Sequence, residues 1–62
     1  MCEANAFFIK DGKEELLLES VDVIQSEGDG QYRLVSIFGE QKSIRGRLKG
    51  MNLVNHKILF EE

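Results

Sequence analysis

Short alternating stretches of apolar and polar residues run along the chain, and turn residues interrupt them at close intervals. The clearest stretch is Gln31 to Phe38, where Tyr32, Leu34 and Ser36 share one face and Arg33, Val35 and Ile37 share the other. Period-two alternation of this kind is the mark of a half-buried strand. Lys42 to Lys49 repeats it, with Ile44, Gly46 and Leu48 on one face and Arg45, Arg47 and Lys49 on the other. Gly46 inside that run predicts a bend or bulge, as the corner of a small barrel needs, and Gly50 invites the same reading. In Ser20 to Gln25, Val21 and Val23 alternate around Asp22. Shorter segments are Cys2 to Ile9, Glu14 to Leu18, Met51 to Val54 and Ile58 to Phe60.

The intervening residues are turn formers. Asp11-Gly12 between apolar runs is a strong hairpin signal. Glu27-Gly28-Asp29-Gly30, Gly39-Glu40-Gln41 and Val54-Asn55-His56-Lys57 mark further reversals. Glu14-Glu15-Leu16-Leu17-Leu18-Glu19 favours helix by intrinsic propensity. It is too short to hold a helix alone, and the hairpin turn before it favours a strand. The expectation is an all-β fold: a small antiparallel β-barrel of SH3 or Sm size, with little helix.

The chain has 62 residues, so residues 1–62 are read as a single domain. A domain of this size buries only roughly 60% of the surface its unfolded chain exposes. Small domains compensate with disulfides, a structural metal or a partner subunit. A single Cys rules out an intrachain disulfide, and one Cys with one His makes a four-ligand zinc site hard to assemble. The hydrophobic fraction is nevertheless 42%. Ample apolar surface on an unstapled chain predicts a homodimer, the commonest symmetric assembly.

Eight basic residues against eleven acidic ones give a net charge of −3. That argues against bulk electrostatic attraction to nucleic acid or anionic membranes. No apolar run approaches the roughly 18 residues of a membrane span, and the start of the chain lacks the basic region of a signal peptide. A cytoplasmic protein with a reduced thiol is the resulting expectation.

Few residues offer chemistry. His56 stands in a predicted turn without a marked nucleophile or orienting carboxylate. It reads as an exposed turn residue, with supplementary metal ligation as the other reading. The carboxylates show no general acid/base or calcium-loop spacing, and Gly28-Asp29-Gly30 leads into no phosphate-binding helix. No catalytic residue is identified, and no enzyme is expected. Arg45, Arg47 and Lys49 form a basic stripe of the kind with which small barrels bind RNA. Yet four of the five aromatic residues are Phe, a core-filling set more than a base-stacking platform.

Cys2 is the exception. By composition a free Cys is often a small buried hydrophobe. Its position suggests more. If Met1 is removed, the Cys2 α-amine and thiolate close a five-membered chelate ring on one metal ion. If Met1 stays, its amine, the Cys2 amide nitrogen and the thiolate can form two fused rings. Two such copies in a dimer supply a plane of nitrogen and sulfur, which suits Ni(II) or Cu(II) better than tetrahedral zinc.

Several segments together carry a resemblance. They are Met1-Cys2-Glu3-Ala4, Lys10-Asp11-Gly12 followed by Glu14-Glu15-Leu16-Leu17, and Glu27-Gly28-Asp29. The others are Ile37-Phe38-Gly39-Glu40-Gln41-Lys42, Gly46-Arg47 and Leu53-Val54-Asn55-His56-Lys57-Ile58. In order and spacing they resemble the CooT family across essentially the whole chain. That family was earlier labelled as predicted RNA-binding proteins. It includes a nickel-binding accessory protein associated with maturation of nickel-containing carbon monoxide dehydrogenase. The resemblance implies a small β-barrel-like homodimer, with Cys2 as the metal ligand and one Ni(II) shared between two copies. It also implies a role as metallochaperone or nickel store, with an apo nickel enzyme or its maturation factors as partner. RNA binding through Arg45, Arg47 and Lys49 is the alternative.

Overall fold

The computed structural model of the protein describes residues 4–52 and 54–62. Six strands make one sheet: β1 (Ala4–Lys10), β2 (Lys13–Ser26), β3 (Gln31–Ser36), β4 (Gln41–Arg45), β5 (Arg47–Asn52) and β6 (Lys57–Glu61). None of the described elements is a helix. The all-β expectation therefore holds, and the order across the sheet is β4-β3-β2-β1-β6-β5.

The β1–β2 hairpin turns at Asp11 (φ 53°) and Gly12 (φ 75°). Two successive left-handed residues are what a two-residue hairpin loop requires. Glu14 to Leu18 and Ser20 to Gln25 are not separate strands; they are two halves of β2. Ser20 takes φ 53°, and its N–H donates to Asn5 Oδ1 at 3.1 Å. The Ser20 carbonyl accepts from Ile37 N at 2.9 Å. The strand bends there without losing its backbone partners. Its first half pairs mainly with β1 and its second half with β3.

The expectation of an antiparallel barrel needs correcting on two counts. The sheet is mixed, because β1 and β6 run parallel, with Ala6 opposite Ile58 and Phe8 opposite Phe60. It is also open: β4 and β5 are its two edges. Gly46 explains both. A one-residue link cannot make a hairpin, so β4 and β5 do not pair. The chain keeps its direction through Gly46, whose N–H donates to the Gly30 carbonyl at 2.7 Å, and crosses to the other edge. With no reversal there, β6 returns in the same sense as β1. A Cβ at Gly46 would run into the Glu61 carbonyl oxygen and lie 3.1 Å from the Phe8 ring, so the corner needs the missing side chain. The bend read at Gly46 is present. A register shift between Leu48 and Gly50 supplies the second irregularity.

Alternation sorts the side chains as the pattern predicts. Leu34 and Ser36 of β3 face inward, as do Ile58 and Phe60 of β6. The core comprises Ala6, Leu18, Val21, Leu34, Ile58 and Phe60, with Phe8, Leu17, Ile24, Tyr32 and Ile44 packed on it. Tyr32 and Phe60 meet with ring centroids 5.3 Å apart at 56°, a tilted geometry that aromatic pairs favour. The β3–β4 turn is tied by the buried Ser36, whose Oγ accepts from Phe38 N at 3.2 Å and Glu40 N at 3.1 Å. That turn displays Phe38 at its tip, 74% exposed.

Candidate metal centre

Cys2 and the backbone nitrogens of Met1 and Cys2, the donor set expected for the metal, lie outside the described residues. β1 begins at Ala4, opposite Val21 of β2, and Asn5 N donates to the His56 carbonyl, on the turn before β6, at 2.8 Å. β1 therefore begins at the sheet end shared with the β5–β6 turn. Asn52 organises that turn, its Oδ1 accepting from Val54 N at 3.1 Å and Asn55 N at 3.0 Å. Sequence reasoning passed over Asn5 and Asn52. Asn52 had a readable signal, since an Asn just ahead of a turn bonds the backbone two residues on. Asn5 had none, because its partner is 15 residues away.

A cavity of about 270 Å³ opens at the same end, with Ala4, Val21, Ile24, Met51, His56 and Ile58 on its walls. It lies where the second half of β2 faces β5 without a ladder between them. His56 is exposed and takes φ 54°, so it is the turn residue expected. It also stands on the rim of this cavity, beside the entry of β1. Among the described residues no group of three or more His, Cys, Asp or Glu side chains converges as a metal cage.

The basic stripe is not a single strand face. Gly46 divides it between two strands at opposite edges of the sheet. Arg47 Nε lies 3.1 Å from Glu61 Oε2, opposite it in the β5–β6 ladder. Other cations are also engaged: Lys57 Nζ is 3.0 Å from Glu14 Oε1 and 5.1 Å from the centre of the Phe7 ring. Arg33 lies within 3.8 Å of Glu27 and donates to the Gln25 side chain. Lys49 is exposed.

Comparison with known proteins places this arrangement. The family model described as CO dehydrogenase accessory protein CooT matches residues 1–61. A crystal structure described as a CooT from Carboxydothermus hydrogenoformans superimposes with a TM-score of 0.87. It has 43% sequence identity and covers 98% of this chain and 97% of its own. An uncharacterized protein of Methanocaldococcus jannaschii is 31% identical over 61 residues, 98% of each chain. Matched from end to end in sequence and backbone, the chain belongs to the CooT family of CO dehydrogenase accessory proteins.

Proposed function

We propose that this protein binds nickel as a metallochaperone or store for the maturation of a nickel enzyme such as carbon monoxide dehydrogenase. The observation that carries the reading is the match to a CO dehydrogenase accessory family over residues 1–61, a stretch that includes Cys2. The protein performs no catalysis. It holds one Ni(II) per homodimer through Cys2 of each copy, with the backbone nitrogen of Met1 or Cys2 as the second donor. It works in the cytoplasm, where the thiol stays reduced, and passes its ion to an apo enzyme.

The chemistry supports nickel. A thiolate paired with an adjacent nitrogen forms a small chelate ring, and two such pairs fill a square plane. Covalent reach supports the location, since two residues of extended chain span at most about 7 Å. Ala4, two positions along the chain from Cys2, stands at the sheet end that carries His56. The described residues contain no helix long and apolar enough to cross a membrane.

The deciding experiment fuses several residues ahead of Met1. This extension keeps the thiol and removes the terminal amine from reach. Nickel affinity is expected to weaken about tenfold or more, or about 1.4 kcal/mol, in a titration followed by thiolate-to-metal absorption. An extended protein that binds as tightly as the native chain would remove the amine from the site.

RNA binding is the weaker reading, since Arg47 faces Glu61 and the stripe is split. Any binding is expected to be weak and to fall steeply with salt, because it would rest on phosphate contacts. Submicromolar, sequence-selective binding at physiological salt, lost on Arg47→Glu, would reverse this ranking.

A further inference from the structure

We propose that the outer edge of β4 is a docking site for an extended acidic segment of a partner protein, which adds to the sheet as one more strand. The ladder between β3 and β4 fixes which backbone groups are open. Ser36 N donates to the Glu40 carbonyl at 2.8 Å, and Gly46 N to the Gly30 carbonyl at 2.7 Å. These two pairs bracket a register that runs without a shift from Gln31 opposite Arg45 to Val35 opposite Gln41. Hydrogen-bonded and non-bonded pairs alternate along an antiparallel ladder. Lys42 and Ile44 therefore direct their backbone groups to β3, while Gln41, Ser43 and Arg45 point theirs away from it. A row of N–H and carbonyl groups is thus open along this edge, the template that an added strand uses. The other edge, β5, is a poorer template. Its ladder shifts register between Leu48 and Gly50, which breaks the regular row of groups.

Charge decides the occupant. β4 reads Gln41-Lys42-Ser43-Ile44-Arg45, with two cations and no carboxylate, in a chain whose net charge is −3. Among the described residues neither cation is in an ion pair. Arg45 lies 3.2 Å from the neutral Gln31 amide, and Lys42 Nζ donates to the Leu17 carbonyl at 3.4 Å. Two carboxylates stand close to the strand. Glu27 is engaged with Arg33, and Glu40 precedes β4, in the groove that Leu16 and Phe38 line. A second copy of β4 is a poor occupant, since pairing would gather the cations of both strands with no acid on either. Charged edges guard against self-pairing in this way. An acidic strand meets no such obstacle, because opposite charges across a ladder stabilise it and like charges weaken it. Arg45 and Lys42 are three positions apart and project to opposite faces, and Ile44 shares the face of Lys42. The occupant that fits has acidic residues three positions apart. Between them, next to the acid that faces Arg45, it has an apolar residue to lie beside Ile44.

Amide hydrogen exchange of the full chain, titrated with the end-blocked peptide Thr-Glu-Val-Thr-Glu-Thr, tests the proposal. In the native chain alone, the amides of Gln41, Ser43 and Arg45 are expected to exchange faster than those of Lys42 and Ile44. With peptide at about ten times its dissociation constant, the protection of the first three is expected to rise about tenfold. This readout needs no substitution, and it follows β4 alone, so it stands apart from the nickel reading. Reversing both charges, Lys42→Glu with Arg45→Glu, is expected to weaken binding about tenfold or more. Lys49→Glu, on the other edge, is expected to leave it unchanged. Ser43→Pro removes an outward N–H and spares the ladder to β3, which an edge strand tolerates, and is expected to weaken binding as well. No added protection of the three amides at roughly millimolar peptide would overturn the proposal. So would equal binding of the peptide with Lys in place of Glu, protection gained on β5 instead, or binding undiminished by the double reversal. Larger effects of an oligouridylate on the same amides would give the edge to nucleic acid. Protection of those amides on concentrating the chain without peptide would give it to a second copy.

Discussion

Cys2→Ser is expected to abolish tight nickel binding, raising the dissociation constant about a thousandfold or more, equivalent to about 4 kcal/mol. A hydroxyl is a poor soft ligand and gives up its proton far less readily than a thiol. In a shared site the substitution removes both sulfur donors at once, leaving only backbone nitrogen. His56→Ala, at an exposed turn residue, is expected to change affinity little. A competition titration against a chelator of known strength measures both. Affinity is also expected to drop as pH falls. The donors must lose protons to bind, so binding releases protons and acid opposes it. Retained tight binding in Cys2→Ser would place the donors elsewhere and leave the nickel reading without its ligand.

Phe60→Ala is expected to remove about 3–5 kcal/mol of stability, the usual cost of truncating a core Phe. Phe60 is fully buried, stands opposite Phe8 in β1 and Leu48 in β5, and packs against Tyr32. For a chain of this size the whole stability is roughly 3–9 kcal/mol, at about 0.05–0.15 kcal/mol per residue. The variant would therefore be partly or wholly unfolded at 25 °C. Leu59→Ala, one residue earlier on the outer face and only half-buried, is the comparison and is expected to cost clearly less. Urea titration followed by circular dichroism distinguishes them. Equal losses would mean that the two faces of β6 contribute alike, against the core described here.

How far the chain could be read in advance varied with how local each feature is. Asp11-Gly12 was legible because a two-residue hairpin needs its left-handed backbone from those very residues. The two faces of Gln31 to Ser36 were legible because strand alternation is written in consecutive positions. Gly46 could be read as a bend, but not as a crossing between sheet edges. Direction after a bend depends on Gly30 and Glu61, both distant in sequence. Ser20 looked like the start of a new strand, since the Asn5 side chain that holds it within one continuous strand cannot be inferred locally. The same limit governs the candidate site. Cys2 drew attention through its own chemistry and the family resemblance. The hollow beside the entry of β1 is assembled from four strands and a turn, and no stretch of sequence contains it.

The parallel pairing of β1 with β6 joins the first strand to the last, and this shapes how the protein is made. Phe8 meets Phe60 across 52 positions of chain, so a central ladder of the sheet is also among its most distant in sequence. Such contacts close large loops and slow folding relative to hairpins of the same strength. During synthesis β1, β2 and β3 can assemble early, but the inner face of β1 stays uncovered until β6 leaves the ribosome. A nascent chain stalled after Asn52 lacks Ile58 and Phe60 altogether, and its β5 has no strand to pair with. Folding thus waits on β6, and a copy without that strand cannot pass for a finished one.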